Sequence, residues 1–144
     1  MRLVLDTAAM VAAIRSDTGA SRRLLQSALE RRHGLTLLVS VPLLIEYEAV
    51  LTRTEHLTVS GLSRADVAEL LDAVAAVAEP VRLAYLWRPA LPDMDDDMAL
   101  EAAVNGRAEG IVTFNLRDFG TVSDQFGIQV LLPGDAVRQW ERRS

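Results

Sequence analysis

A cluster of acids stands directly before a helical pattern of apolar residues. Asp93, Asp95, Asp96 and Asp97 fall within five residues of one another. Carboxylates this close raise one another's pKa unless a cation shares the site. The dipole and free N–H groups of a helix N-terminus stabilise one or two acids. Because four acids exceed that need, the cluster predicts one part of a divalent-metal site, and the alternative is surplus solvated charge.

Two further polar residues follow short apolar runs that are typical of buried strands. Asp6 ends the run at 2–5, and Asn115 comes two residues after the run at 110–113. In parallel sheets the functional crevice lies beyond the carboxyl ends of the strands. We therefore expect both residues, together with the acidic cluster, at one edge of a sheet. The alternative for Asp6 is that it caps the helical turn that follows it.

Two glutamates offer another candidate ligand. Glu46 and Glu48 flank the apolar face of a predicted helix on opposite sides, so periodicity alone does not choose between them. Either could also be a solvated charge.

The side chains that the sequence offers limit which metal could bind and which reactions are feasible. The chain has no cysteine and two histidines, so hard oxygen ligands favour Mg²⁺ or Mn²⁺ over zinc. A carboxylate cage around either ion is typical of phosphoryl chemistry. There is no lysine, which excludes Schiff-base catalysis and a P-loop. A net charge of −5 argues against a protein that binds long nucleic-acid duplexes by electrostatic attraction alone.

The elements that must position these residues alternate between strand and helix. Strands are predicted at 2–5, 35–40, 81–86, 110–113 and 128–132. Helices are predicted at 18–32, from Pro42, from Ser63 to before Pro80, from the acidic cluster to Arg107, and around 136–140. This alternation predicts a layered α/β fold with a parallel sheet. The length of 144 residues suits a single domain spanning 1–144.

No apolar run is long enough to span a bilayer, and the start of the chain does not have the pattern of a signal peptide. With no cysteine present, we expect a cytoplasmic protein without a membrane partner.

Four segments together resemble the PIN-domain family. They are Val4-Leu5-Asp6-Thr7, the stretch from Ser40 to Arg53, the stretch from Asp93 to Ala103, and the stretch from Ile111 to Asn115. The chain looks most like the bacterial branch of VapC-like toxins from toxin–antitoxin systems. The resemblance implies a three-layer α/β/α fold around a parallel five-stranded sheet. It also implies a Mg²⁺- or Mn²⁺-dependent endoribonuclease that hydrolyses RNA phosphodiester bonds as the toxin of a type II pair.

The resemblance assigns roles by position. Asp6 is the first acid, Glu46 rather than Glu48 is the second, and Asp96 is the third, with Asp93 as an additional acid. These four are the implied catalytic and metal-binding residues. Thr113 matches the Thr or Ser that follows the fourth strand in the family. Asp97 is expected to be an ordinary acid at the start of a helix.

Two positions depart from the family pattern. Ala8 stands where the family usually has an asparagine, and Asn115 stands where a fourth acid is common. Asp118, three residues further on, is a candidate substitute for that acid. The departures motivate an alternative function, a catalytically weakened PIN scaffold that binds RNA or an antitoxin without efficient turnover.

The resemblance also implies partners. Arg117 is close in sequence to the site and is a candidate RNA-binding residue, and the paired arginines of the first long helix are further candidates. A cognate antitoxin is expected to dock in a groove between the early helices, and the family commonly forms homodimers.

Two other classes with acidic α/β pockets fit less well. A phosphoacceptor receiver domain needs a lysine that the chain lacks, and a haloacid-dehalogenase-like phosphatase needs an acid where Ala8 stands.

Overall fold

The structure is a computed structural model that describes residues 1–84, 94–120 and 122–143, without the side chains of residues 94, 95 and 122. Within these ranges the strands are β1 (Arg2–Leu5), β2 (Thr36–Val39), β3 (Glu79–Pro80), β4 (Gly110–Val112) and β5 (Gln129–Leu131). The helices in the same ranges are α1 (Thr7–Arg15), α2 (Ala20–Leu29), α3 (Val41–Leu51), α4 (Thr54–Ser60), α5 (Arg64–Val77), α6 (Met94–Gly106), α7 (Leu116–Phe119), α8 (Val122–Phe126) and α9 (Pro133–Arg143).

The five strands form one parallel sheet in the order β3-β2-β1-β4-β5. The central strand β1 pairs with β2 through Leu3 and Leu37, and with β4 through Val4 and Ile111. Helices cover the sheet, and the side chains of these paired residues are almost completely buried. Burial on both faces is typical of parallel sheets and explains the continuous apolar runs. The predicted α/β fold with helices on a parallel five-stranded sheet is therefore confirmed.

The third strand lies earlier in the chain than the run at 81–86 predicts. Glu79 and Pro80 pair with Leu38 and Val39 of β2, and the backbone N–H of Val81 donates to the carbonyl of Val39 at 2.7 Å. Because β3 is at the sheet edge, a proline is tolerated there without loss of a ladder hydrogen bond. The prediction was wrong for residues 81–84, and residues 85 and 86 lie outside the described residues.

The second helix is shorter than the predicted helix at 18–32. It ends at Leu29, and Arg31 has a positive φ of 54°. The N–H of Arg32 then donates to the carbonyl of Ser27 at 3.0 Å, the pattern of a helix terminated by a left-handed residue. The sequence pattern predicts that Gly34 ends this helix, and this prediction was wrong, because the left-handed position that ends it is taken by Arg31.

Helix α1 is not predicted by apolar periodicity, because alanines occur on several of its faces. Alanine has the highest helix propensity, and Asp6 supplies the cap that starts the helix. None of the helices in the described part of the chain could span a membrane.

Hydrogen bonds tie the carboxyl ends of three strands together. The N–H of Asp6, after β1, donates to the carbonyl of Val112 in β4 at 3.0 Å. The N–H of Thr113, after β4, donates to the carbonyl of Leu131 in β5 at 2.9 Å. Helix α6 contacts β1, α1 and α3. The polar residues that follow β1 and β4 therefore meet at one edge of the sheet.

Candidate active site

Asp6 occupies the centre of this edge. It is the first residue after β1 and the N-cap of α1, and its side chain accepts a hydrogen bond through Oδ1 from the N–H of Ala9 at 2.7 Å. Only 1% of Asp6 is exposed. The capping role considered as an alternative is thus real, but it uses one carboxylate oxygen and leaves the other available.

The second carboxylate oxygen of Asp6, Oδ2, is also buried. Oδ2 has no hydrogen bond of normal geometry with any described residue. Burial raises the pKa of Asp6, and the side chain of Thr113 and the N–H of Ala9 oppose that rise. Leaving a buried acceptor unsatisfied is costly. A carboxylate held in this way is a suitable ligand for a cation, which would supply the missing partner.

Thr113 connects β4 to this carboxylate. Its side chain is fully buried, and its Oγ1 accepts a hydrogen bond from the N–H of Asn115 at 2.9 Å. The hydroxyl proton is then free to point elsewhere, and the interaction of Thr113 with Asp6 lowers the pKa of Asp6. The threonine after the fourth strand is therefore next to the first acid.

Tyr47 supports the same strand end from α3. Its hydroxyl donates to the backbone carbonyl of Leu5, the residue before Asp6. Burial and the nearby charge of Asp6 both raise the pKa of Tyr47, so the phenol stays protonated and remains a donor. The sequence pattern assigned Tyr47 only to the apolar face of its helix, because spacing does not reveal where a buried hydroxyl points.

The start of α6 contains several buried acids. Asp96 is 6% exposed, and Asp97 and Glu101 are completely buried. Asp97 stands in the first turn of α6 as expected, but it is buried rather than solvated. Glu101 was not predicted, although it lies one helical turn after Asp97 within the apolar run 99–103. Asp93 lies outside the described residues.

The two glutamates of α3 differ in exposure. Glu46 is half-buried, whereas Glu48 is exposed. Helix α3 also contacts α6, which carries Asp96. This difference was not available from periodicity alone.

The two residues that differ from the family pattern lie at the surface. Ala8 and Asn115 are exposed, and the side chain of Asn115 does not cap α7. Asp118 is half-buried in the first turn of α7, and Arg117 is exposed beside it.

Among the described residues, no three acids or histidines come close enough to form a ready-made metal cluster. The structure thus joins Asp6 to Thr113 directly, and it brings Asp96 to the same part of the fold through the contacts of α6. Any contribution of Asp93 lies outside the described residues.

Comparison with known proteins identifies the family. A model described as "PIN domain" matches residues 2–117. The crystal structure of VapBC2 from Rickettsia felis bound to a DNA fragment from their promoter contains a chain with the same fold. Its TM-score is 0.59 at 14% sequence identity, and the match covers 92% of this chain and 98% of that chain. No curated protein matches significantly. With most of its length matched by the family model, the chain belongs to the PIN-domain family.

Proposed function

We propose that this protein is a Mg²⁺- or Mn²⁺-dependent endoribonuclease and the toxin of a type II toxin–antitoxin pair. The observation that carries the proposal is the buried Oδ2 of Asp6, which lacks a hydrogen-bond partner among the residues described, at the carboxyl edge of the central strand. Functional sites of open parallel sheets lie at this edge. Family membership supports nuclease chemistry at this position.

The residues present fit a divalent cation. Asp6, Asp96 and Glu46 would hold it, together with Asp93, and all four supply the hard oxygen ligands that Mg²⁺ and Mn²⁺ prefer. When bound, such an ion lowers the pKa of a water molecule and neutralises charge that develops on a phosphate.

The other residues of the site position these acids. Thr113 interacts with the Asp6 carboxylate, and Tyr47 fixes the peptide immediately before it. Asn115 and Asp118 stand on the segment after β4, where we propose a supporting role toward the substrate. The proposed site is thus assembled on the ends of β1 and β4 and on helices α3 and α6, and regular elements place side chains more precisely than loops do.

Arg117 is the proposed contact for the RNA backbone, because it is exposed and only four residues from Thr113. The arginines of α2 fit this role less well. Arg22 donates to the carbonyl of Ile14 and forms an ion pair with Asp17, and Arg23 pairs with Glu141. These contacts give the α2 arginines structural roles.

An antitoxin is the proposed protein partner. The similar solved structure is a VapBC2 complex bound to promoter DNA, which is a property of that assembly. In this chain, a recess of about 250 Å³ lies among α1, α2 and α5, and its lining is mainly apolar: Ile14, Arg22, Leu25, Gln26, Leu29, Leu62, Asp66 and Leu70. We infer that an apolar segment of the antitoxin occupies it. A small adjacent gene that encodes a DNA-binding protein would support this partner. The absence of such a gene would argue against the toxin assignment but not against the nuclease activity.

A homodimer is the proposed assembly. Val41 and Ile45 are 68% and 63% exposed and lie one helical turn apart on α3. We propose that this exposed apolar pair packs against a second copy of the chain.

A catalytically weakened scaffold is the second candidate function. Ala8 offers no polar side chain beside Asp6, and Asn115 carries no negative charge. Titration calorimetry with Mn²⁺ separates the candidates. An active site should bind Mn²⁺ with an affinity that Asp96→Ala lowers, whereas a dead site should show negligible binding in both proteins.

Cleavage of single-stranded RNA in Mn²⁺ tests the ligand set, with Glu46→Gln and Glu48→Gln as matched variants on one helix. We expect Glu46→Gln to slow cleavage at least about tenfold, because it removes a charge from the proposed cage, and Glu48→Gln to cleave like wild type. Equal rates for the two variants would exclude Glu46 as the second acid.

A further inference from the structure

A second recess lies at the same edge of the sheet as Asp6. Its volume is about 440 Å³, which is within the range of small-ligand sites. Phe114, directly after Thr113, and Leu132, directly after β5, form one side. Ala12 also lines the recess and is six residues after Asp6, hence about 9 Å along the axis of α1. The recess is therefore a short distance from the proposed cleavage site.

The walls of the recess are mostly apolar and include an exposed aromatic ring. Phe114 is 51% exposed although it comes shortly after the buried strand β4, and Leu132, after β5, is 37% exposed. An exposed phenylalanine next to a nucleic-acid site is a suitable platform for a stacked base, because every base has an aromatic face. Ala12, Ala20 and Pro133 add flat apolar surface around it.

One buried polar group belongs to the same recess. Ser21 lines it and is only 2% exposed, and its Oγ has no hydrogen-bond partner within the described ranges. The recess is also lined by Gly19, the N-cap of α2, which provides no side-chain cap. The first N–H groups of α2 therefore lack the side-chain acceptor that usually satisfies them. A ligand with hydrogen-bond acceptors and donors on its edge would provide partners for the Ser21 hydroxyl and for the first N–H groups of α2.

The charges around the recess disfavour a phosphate as the ligand. Arg138 is its basic residue, but Arg138 forms an ion pair with Asp135, which also lines the recess. The local charge of this pair is neutral, and the Asp135 carboxylate would repel an anion. A neutral, flat heterocycle with hydrogen-bonding edges matches the lining better than a phosphate does.

We propose that this recess binds a nucleobase of single-stranded RNA next to the bond that is cut, and thereby sets the sequence preference of cleavage. The proposal rests on the proposed ribonuclease function for its biological meaning. Phe114 stacks on the base, and Ser21 with the N-terminus of α2 reads its edge. Bases differ in the donors and acceptors on these edges, so a fixed hydroxyl favours some bases over others.

Binding of RNA without turnover tests the recess directly. Short oligoribonucleotides of uridine, cytidine, adenosine or guanosine are titrated in EDTA into the full chain and into Phe114→Ala, Ser21→Ala and Val59→Ala. We expect Phe114→Ala to weaken binding of the preferred oligonucleotide about tenfold, because a stacked ring is lost. Ser21→Ala should reduce the difference among the four bases. Val59 is 53% exposed on α4, so Val59→Ala controls for loss of exposed apolar surface and should bind like wild type.

Equal binding of every oligonucleotide by wild type and Phe114→Ala would overturn the proposal. Loss of a bound protein partner in Phe114→Ala, with RNA binding unchanged, would also overturn it.

Sequencing the cuts in a randomised RNA pool with Mn²⁺ separates this proposal from the ribonuclease proposal. A base preference that disappears in Phe114→Ala supports both. Cleavage with an unchanged preference would refute the recess alone. If wild type binds RNA through Phe114 but never cuts it, the ribonuclease function fails and the base-binding recess stands.

Discussion

Asp6 combines two tasks because its two carboxylate oxygens have different surroundings. Oδ1 caps α1 by accepting from the N–H of Ala9, and Oδ2 is buried at the edge of the sheet without a hydrogen bond from any described residue. Burial raises the pKa of Asp6, and a cation bound to the carboxylate would oppose that rise. The residue that starts the helix is thus also the proposed central ligand of the cation.

Replacing Asp6 with asparagine should distinguish the effect of this residue on stability from its effect on metal binding. Asparagine is an equally good N-cap but carries no charge to desolvate. In EDTA at pH 7 we therefore expect Asp6→Asn to raise the free energy of unfolding by about 1 kcal/mol, measured by urea denaturation. Addition of Mn²⁺ should stabilise wild type and leave the variant unchanged. A variant less stable than wild type in EDTA would show that the charge of Asp6 is already compensated.

At the residue scale, the sequence predicts positions that follow strands better than it predicts burial. Asp6 could be placed because it directly follows an apolar run, and Thr113 because it matches the family pattern after the fourth strand. Tyr47 and Glu101 could not, since their polar groups lie within apolar helix faces and become informative only when those faces meet the sheet. The burial of Asp97 was missed for the same reason.

At the scale of elements, α5 is started by a reciprocal capping box. The N–H of Asp66 donates to Oγ of Ser63 at 3.1 Å, and the N–H of Ser63 donates to Oδ2 of Asp66 at 2.9 Å. Hydrogen bonds from Ser63 lower the pKa of Asp66 below its ordinary value of 3.8. A lowered pKa contributes stability above the ordinary value, and that contribution is lost as the pH falls through the folded-state pKa.

We expect Asp66→Ala to lower the Tm at pH 7, as measured by circular dichroism. The difference from wild type should shrink as the pH falls below about 4, where the acid becomes protonated. Asp72→Ala, which removes an exposed acid from the same helix, should not lower the Tm at pH 7. A difference between wild type and Asp66→Ala that persisted unchanged at low pH would mean that the ionised carboxylate does not stabilise the helix start.

The end of α6 is held by close packing against the sheet edge. A Cβ at Gly106 would lie 2.6 Å from a methyl group of Leu38 and 2.7 Å from one of Val81. Gly106→Ala should therefore destabilise the protein by about 1–3 kcal/mol in urea denaturation, through overpacking. Gly134→Ala is the matched control, because its nearest new contact is Arg138 at 3.5 Å. Equal stability of the two variants would show that α6 can move away from the sheet without cost.

Element boundaries were predicted best where capping chemistry marks them. Ser40 and Ser63 are the N-caps of α3 and α5, and both helices begin where the sequence suggests. Helix α1 lacks an apolar stripe, and β3 is fixed by pairing with β2 rather than by its own composition. Neither the capping of α1 by Asp6 nor the pairing of β3 with β2 produces an apolar pattern in the local sequence. The bounds of these two elements are therefore known only from the structure.

At the scale of the whole molecule, the exposed apolar face of α3 predicts a second copy as its partner. Ile45→Glu places a charge on this face without disturbing the core, because Ile45 is 63% exposed. We expect light scattering to show two chains per particle for wild type and one for Ile45→Glu, with Val59→Glu on α4 behaving like wild type. Two chains per particle in Ile45→Glu would assign the dimer to another surface.

The strand order places β1 at the centre of the parallel sheet, and so the residue after β1 is surrounded by the ends of its neighbours. Because of this arrangement, a single acid after β1 lies where side chains from neighbouring strands can act together with it. Helix α6, which carries Asp96, packs against β1, and we therefore propose that Asp96 serves the same edge. Family membership and the position of Asp6 thus lead to the same site.

The most direct test of this account is the rate of single-stranded RNA cleavage as a function of Mn²⁺ concentration, for wild type and Asp6→Asn purified in parallel. We predict saturable, EDTA-sensitive cleavage by wild type and a loss of about 1000-fold in Asp6→Asn, because several kcal/mol of charge stabilisation depend on this ligand. Equal cleavage by the two proteins, or no Mn²⁺ dependence in wild type, would contradict the account.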